Sequence, residues 1–347
     1  MSYNELRKDY LLDRWVVIAT ERGRRPTDFV KQERQKVKTG VCPMCPGNEH
    51  MTPPAVLAYL QSGTGIKKVR DSNDQRHKNW VIRVIPNLYP AFLPPKDKIS
   101  KKQIEKNENL CLAVGHHEVL VEAPIHDAHP ANASIPQLTH VVNGYIDRLR
   151  DLSAKPYVQY VSVFRNHGLE AGASLSHAHS QIIAMPQFPR TVKEEIDASR
   201  IYWKKNGRCA FCDIIGNERH GPRFILENPN FTAFAPYASI NPMEFWIAPR
   251  KHETSLLEMS PNEIKTLAET MKTCLNGLKI LVDDPPYNFG FHLTTKPEAA
   301  DYYHWHLEVY PRLAIWAGYE KSTGAYINTM TPETAAESLR TEINKTR

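Results

Sequence analysis

One succession of sequence patterns occurs twice along these 347 residues, and a duplicated unit must fold as two copies of one supersecondary arrangement. In the first copy the runs at 79–86 and 117–126 are rich in β-branched residues and alternate in polarity, as strands do. Between 135 and about 153, Leu138, Val141, Val142, Tyr145, Ile146 and Leu149 recur three and four apart, the spacing of an amphipathic helix. Two more strand-like runs follow at 157–166 and 177–186. The second copy repeats the order, with strands at 230–236 and 244–252, a helix from about 262 to 282, and strands at 287–295 and 304–312. Each copy is therefore expected to form an antiparallel sheet with packed helices, giving an α+β fold with an internal duplication.

The expected domains are 1–188 and 189–347. Charged 189–207, with Val192, Ile196, Ile201 and Trp203 near helical spacing, is the predicted linker helix. Segments 31–38 and 63–78 are polar and read as loops, and a final helix is expected from 332 to about 346.

Each copy also opens with a cysteine pair, Cys42-Pro-Met-Cys45 and Cys209-Ala-Phe-Cys212. Six cysteines placed at random would give about 0.1 pairs at this spacing. Such a turn aims two thiolates at one point, as a tetrahedral zinc site requires. A redox role would need neither a second copy nor histidines at matching distances. Cys111 and Cys274 have no partner at ligand spacing and read as packed apolar side chains.

The repeat supplies the remaining ligands. His126 and His252 occupy one repeat position and His177 and His304 another, 51 and 52 residues apart respectively. The proposed sets are Cys42, Cys45, His126 and His177, and Cys209, Cys212, His252 and His304. His116, His117 and His129 compete for the third place in the first set, and the matching separation favours His126. Four protein ligands leave no open position, so both sites are expected to be structural. Zinc is expected in the first, and zinc or iron in the second.

Each copy begins its last strand with a His-x-His pair. Residues two apart on a strand share a face, so a metal-bound first histidine would fix the direction of the second and leave it free to react. In His177-Ala-His179-Ser-Gln181, the imidazole of His179 can attack phosphorus and the Gln181 amide can donate to phosphoryl oxygens. The matching second-copy position is Glu308, whose charge would repel a phosphate, so His179 is the expected nucleophile and His306 the diverged counterpart.

No apolar run approaches the roughly 20 residues of a membrane helix, and the N-terminus lacks the apolar core of a secretory signal. Six cysteines are too few for a disulfide framework, so a reducing cytoplasm is expected. The net charge of +6, spread rather than clustered, suits a nucleotide or sugar phosphate better than a nucleic acid.

The His-x-His-x-Gln strand, Cys-Pro-Met-Cys, the N-terminal Leu6 to Ala19 stretch, Glu21 to Pro26 and the Gly318-Tyr-Glu320 region resemble the galactose-1-phosphate uridylyltransferase family, two fused histidine-triad units. The resemblance implies a ping-pong reaction of galactose metabolism, in which His179 takes UMP from UDP-glucose and passes it to galactose 1-phosphate. It further implies that Arg22 and Arg25 bind phosphate or nucleotide, across a homodimer interface, and that Asn87 and Asn166 contact the nucleotide. Ser174 and Gln181 would hold phosphates, and Tyr319 and Glu320 would lie near the hexose.

The chain departs from that family at two points. The best-known members build the second metal site from a carboxylate and histidines, whereas here a full Cys-x-x-Cys precedes it, and Ala173-Ser174 replaces the usual Cys-Ser. Both features resemble the ADP-glucose phosphorylase branch, in which phosphate accepts the nucleotidyl group. The remaining alternative is a non-catalytic, zinc-stabilised nucleotide-binding protein.

Overall fold

Helix α1, Ile135–Ser153, shows how the residues place the first sheet. Ser134 caps its N-terminus by accepting from Gln137 N, and proline stands in the first turn, where a missing N–H costs nothing. Its apolar stripe, Leu138, Val141, Val142, Tyr145, Ile146, Leu149 and Leu152, is buried, at roughly 1.5–3 kcal/mol for each large side chain. A Cβ on Gly144 would lie 2.7 Å from Ile82 Cδ1 and 2.8 Å from Leu120 Cδ1, so glycine lets helix and sheet approach this closely without displacing those side chains.

The computed structural model describes residues 3–19, 25–30, 40–63, 65–107 and 109–346. The chain divides into two compact units, one of residues 40–165 and 174–189, the other of the described residues up to 30, 166–173 and 190–346. The N-terminal segment thus belongs with the later part of the chain, although it precedes the cut at 188 in sequence.

In the first unit, strands β1 (Trp80–Pro86), β2 (His116–Val121), β3 (Tyr160–His167, whose last two residues count with the second unit) and β4 (His179–Met185) pair antiparallel in the order β1, β2, β4, β3. The hairpin Leu57–Ser62 and Gly65–Val69 extends the β1 edge. Part of the expected loop at 63–78 is therefore a strand. Its polar, mostly exposed residues suit an outer edge rather than a core position.

The second unit repeats this order. Strands β5 (Phe231–Phe234), β6 (Phe245–Pro249), β7 (Tyr287–His292) and β8 (His306–Pro311) pair as β5, β6, β8, β7. The α+β duplication is thus visible in strand order as well as in sequence. The linker is helix α2, Arg190–Asn206. Helix α3 is Ala210–Glu218, and α4, Pro261–Val282, starts from a Ser260–Glu263 capping box. The terminal helix α5, Pro332–Thr346, packs on α4 at Gly277, where a Cβ would meet Ile343 at 2.8 Å and Leu339 at 3.0 Å. A small sheet of Glu5–Lys8, Trp15–Ile18 and Tyr326–Asn328 completes this unit.

The strands β4 and β8 begin at the second histidine of each pair, not the first. His177 and His304 stand just before the strands. The expected shared strand face for each His-x-His pair does not hold, and the first histidine directs the second through its backbone instead. Cys274 is buried, whereas Cys111 is only half-buried, its thiol turned toward the Leu112 carbonyl. No described helix is long and apolar enough to cross a membrane.

Candidate functional site

The two cysteine pairs reach their histidines by different local structures. Cys42 and Cys45 lie on a turn closed by Cys45 N donating to Cys42 O, while Cys209 is the N-cap of α3 and Cys212 lies in its first turn. In the first unit, Cys45 Sγ lies 3.3 Å from His126 Nδ1 and 3.5 Å from His177 Nδ1, and Cys42 Sγ lies 3.7 Å from His177 Nδ1. In the second, Cys212 Sγ lies 3.2 Å from His252 Nδ1 and 3.5 Å from His304 Nδ1. The ligand atoms of each quartet fall within 4.8 Å of one another. An ideal tetrahedral zinc site has S to N edges of about 3.6 Å.

The histidine tautomers fit a metal as well. His177 donates Nε2–H to Ala123 O at 2.8 Å, His304 to Pro249 O at 2.8 Å and His252 to Ala300 O at 2.7 Å, while His126 Nε2 lies 2.8 Å from Ser176 Oγ. Each Nδ1 lone pair is thereby turned toward the thiols. The hydrogen bond from Cys212, with the His252 and His304 rings beside it, pulls the Cys209 thiol down to about 3, and the resulting thiolate, with burial, pushes Cys212 up. Burial and the neighbouring Cys42 push Cys45 up to about 11. Both quartets fit a thiolate-binding ion such as zinc.

The rivals for the third ligand position are engaged elsewhere. His116 Nε2 lies 2.9 Å from Tyr157 OH, His117 Nε2 lies 2.8 Å from Gln181 Oε1, and His129 Nδ1 takes a 2.7 Å hydrogen bond from Arg165.

His179 is buried and opens β4. Its Nδ1–H donates to the His177 carbonyl at 2.7 Å, leaving Nε2 as the unprotonated nitrogen. Burial, with Arg165 nearby, lowers its pKa, so the ring is neutral near pH 7. Pairing with β2 puts His179 opposite Val121 and Gln181 opposite Val119, on one face, while Ser180 points to the α1 side and bonds Tyr145 OH. Asn87 Nδ2 lies 3.1 Å from His117 Nε2, so Asn87, His117 and Gln181 form one cluster.

In the second unit, Asn166 Oδ1 accepts from Asn288 Nδ2 at 2.8 Å. Arg25 and Tyr319 are exposed, and Glu320 caps its own helical turn by accepting from Ala317 N. Ser174 is exposed in the first unit. Arg22 lies outside the described residues, as does the segment 31–38.

A third group was not found from the sequence. Glu195, His292, His306 and Glu308 present ligand atoms within 4.8 Å of one another and could also hold a metal ion. His292 Nδ1 lies 2.9 Å from Glu195 and 3.8 Å from Glu308. Burial would lower the His292 pKa, but the two carboxylates raise it to about 9. Glu195 stands on the linker helix and His292 at the end of β7, nearly 100 residues away, so no short spacing announces the group. His306 itself is fully buried, its ring stacked on Trp246 with centroids 4.8 Å apart and tilted against Phe211 at 4.7 Å. Enclosed in this way, it is no exposed nucleophile.

A family model described as a domain of unknown function, DUF4921, matches residues 99–347. The chain is 31% identical to an ADP-glucose phosphorylase of Arabidopsis thaliana, over 97% of this chain and 92% of that one. It is 29% identical to a galactose-1-phosphate uridylyltransferase of Thermotoga maritima, over 97% and 98%. The chain belongs to the galactose-1-phosphate uridylyltransferase family. Among solved structures of that family, the Arabidopsis ADP-glucose phosphorylase with bound ADP-glucose matches with a TM-score of 0.79 at 29% identity, covering 97% of this chain and 99% of that one. A uridylyltransferase structure matches at 0.73 and 27% identity, covering 99% of both. Within the family this chain is a nucleotidyltransferase, and its two Cys2His2 quartets are groups that could hold a metal ion.

Proposed function

We propose that the protein moves the adenylyl group of ADP-glucose to phosphate through a covalent nucleotidyl-histidine. The carrying observation is the His179 tautomer: with Nδ1–H held by His177 O, the Nε2 lone pair is available to the α-phosphorus. Attack forms the N–P bond and breaks the P–O bond to the bridging oxygen, releasing glucose 1-phosphate. A phosphate oxygen then attacks the same phosphorus, the N–P bond breaks, and ADP leaves with the imidazole restored. Gln181 donates its amide hydrogens to the phosphoryl oxygens in both halves, where negative charge grows. Asn87, Asn166 and Ser174 hold nucleotide and phosphates, Arg22 and Arg25 reach the anion across a homodimer, and Tyr319 and Glu320 lie near the hexose. Zinc in the two Cys2His2 quartets would supply structural cross-links rather than chemistry at the substrate.

The choice of ADP-glucose is supported by the complete Cys209, Cys212, His252, His304 quartet, by Ala173-Ser174, and by the 31% identical relative. A second reading, UMP transfer from UDP-glucose to galactose 1-phosphate, is supported by the uridylyltransferases matched over nearly the whole chain. Both predict a soluble cytoplasmic enzyme with small-molecule partners and no nucleic acid.

The reading is tested by giving the purified protein ADP-glucose with phosphate, or UDP-glucose with galactose 1-phosphate, and following glucose 1-phosphate release. The expected kcat/KM favours ADP-glucose by at least about tenfold. Faster release from UDP-glucose selects the second reading, and release from neither overturns both.

A further inference from the structure

We propose that His117 is a positioning residue that fixes the orientation of the Gln181 amide, and so turns its hydrogens toward the phosphates. This rests on the reading of Gln181 as the donor to those phosphates. His117 stands on β2 opposite Ile183, with Gln181 two residues earlier on β4. The two side chains are thus diagonal neighbours on the His179 face of the sheet.

A backbone group decides the chemistry of the contact. Ala91 N–H donates to His117 Nδ1 at 3.1 Å, and a backbone amide cannot exchange donor for acceptor. Neutral His117 therefore carries its proton on Nε2, which lies 2.8 Å from the Gln181 side chain. Only the Oε1 of Gln181 can accept there, because its NH2 would meet a second donor. Asn87 Nδ2 lies 3.1 Å from the same Nε2, but Asn87 Oδ1 is already taken by Tyr89 N–H at 2.9 Å. Beside a protonated Nε2 the Asn87 NH2 is a second donor and makes no hydrogen bond to it, so Gln181 Oε1 is the one acceptor of the His117 proton among these contacts.

Without this contact the terminal amide of Gln181 can turn over, since its two ends are nearly the same in shape. A flipped amide would point its oxygen at the phosphates and repel them. The Ala91 N–H thus acts through His117 on Gln181. The chain of contacts reaches the reacting group without His117 touching it.

The test is a double-mutant cycle on single-turnover labelling of the enzyme by radiolabelled nucleotide sugar, with zinc content and melting temperature measured alongside. Gln181→Ala is expected to slow labelling about 100-fold. His117→Phe, which keeps the ring and loses the donor, is expected to slow it about 10-fold with zinc and melting temperature unchanged. In the Gln181→Ala background, His117→Phe is expected to cost less than about twofold, because there is no amide left to orient. His117→Gln, whose amide can donate to Oε1, is expected to recover most of the rate. A His117→Phe penalty that persists undiminished in the Gln181→Ala background overturns the inference, as does full activity in His117→Phe. Full activity in Gln181→Ala overturns instead the reading of Gln181 on which it rests. If His117→Phe does not fold, His117→Gln against His117→Glu makes the same comparison, since a carboxylate cannot donate, and equal rates in those two overturn the inference.

Discussion

Replacing Asp71 by asparagine isolates one buried charge that ties the segment following Cys45 to the sheet carrying His179. Arg83 and Asp71 face each other at 2.9 Å with side chains 1% and 0% exposed. Asp71 also accepts from Ala55 N and His77 N, each at 2.9 Å, while Arg83 on β1 lies opposite Val121, which in turn faces His179. Asparagine keeps the shape, but its NH2 stands where one carboxylate oxygen accepted, so the hydrogen bonds to that oxygen are lost and the buried guanidinium is left without its countercharge. Breaking a buried pair in this way costs about 3–5 kcal/mol, or a fall in melting temperature of about 9–15 °C for a unit of this size. Burial alone would raise the Asp71 pKa, but the bonds from His77, Ala55 and Arg83 outweigh it and hold the carboxyl below the usual aspartate range. A depressed carboxyl stabilises above its unfolded pKa of about 3.9 and loses that contribution as pH falls through the lower folded value. Urea unfolding followed by tryptophan fluorescence should therefore show a constant difference between wild type and Asp71→Asn from pH 8 to pH 5, shrinking only in stronger acid. A difference below about 1 kcal/mol would refute the argument from burial. One that changes between pH 8 and pH 5 would contradict the assignment of the effect to the Asp71 carboxylate.

Metal analysis should find two zinc-type ions per chain in the Cys2His2 quartets, and Cys45→Ser or Cys212→Ser should each remove one and lower the melting temperature by more than about 5 °C. Full metal content and unchanged melting in both variants would dismiss the ligand assignment. Gly144→Ala should destabilise by about 0–2 kcal/mol in urea unfolding: helix propensity gains about 1 kcal/mol, but the added methyl is forced onto fully buried Ile82 and Leu120 at a cost of about 1–3 kcal/mol. Stabilisation by about 1 kcal/mol would show that the sheet yields and that the close approach is not enforced.

The duplication was legible because two independent periodicities coincide, strand and helix patterning on one hand and the cysteine and histidine positions on the other. Helix α1 has one capping serine and a clean apolar stripe, so its limits at 135 and 153 could be read from the residues. The quartets were legible only through the repeat, since His126 has three other histidines nearby with nothing local to separate them. What escaped detection lacks such a signal. The edge strand Gly65–Val69 buries almost nothing and looks like a loop. The strands Glu5–Lys8 and Trp15–Ile18 are four residues each and are completed by Tyr326–Asn328 from the far end of the chain. The positioning contact of His117 was hidden because it depends on strand register, and a strand-borne histidine reads equally well as a metal ligand.

The central claim, a nucleotidyl group carried on His179, is tested most directly by intact-protein mass spectrometry after mixing enzyme with ADP-glucose or UDP-glucose and no acceptor. The wild-type chain should gain one nucleoside monophosphate, stable in alkali and lost in mild acid as a phosphoramidate is, and His179→Gly should gain none while keeping its zinc. A modified His179→Gly chain, or a wild-type chain that turns over donor without ever gaining mass, would contradict the account.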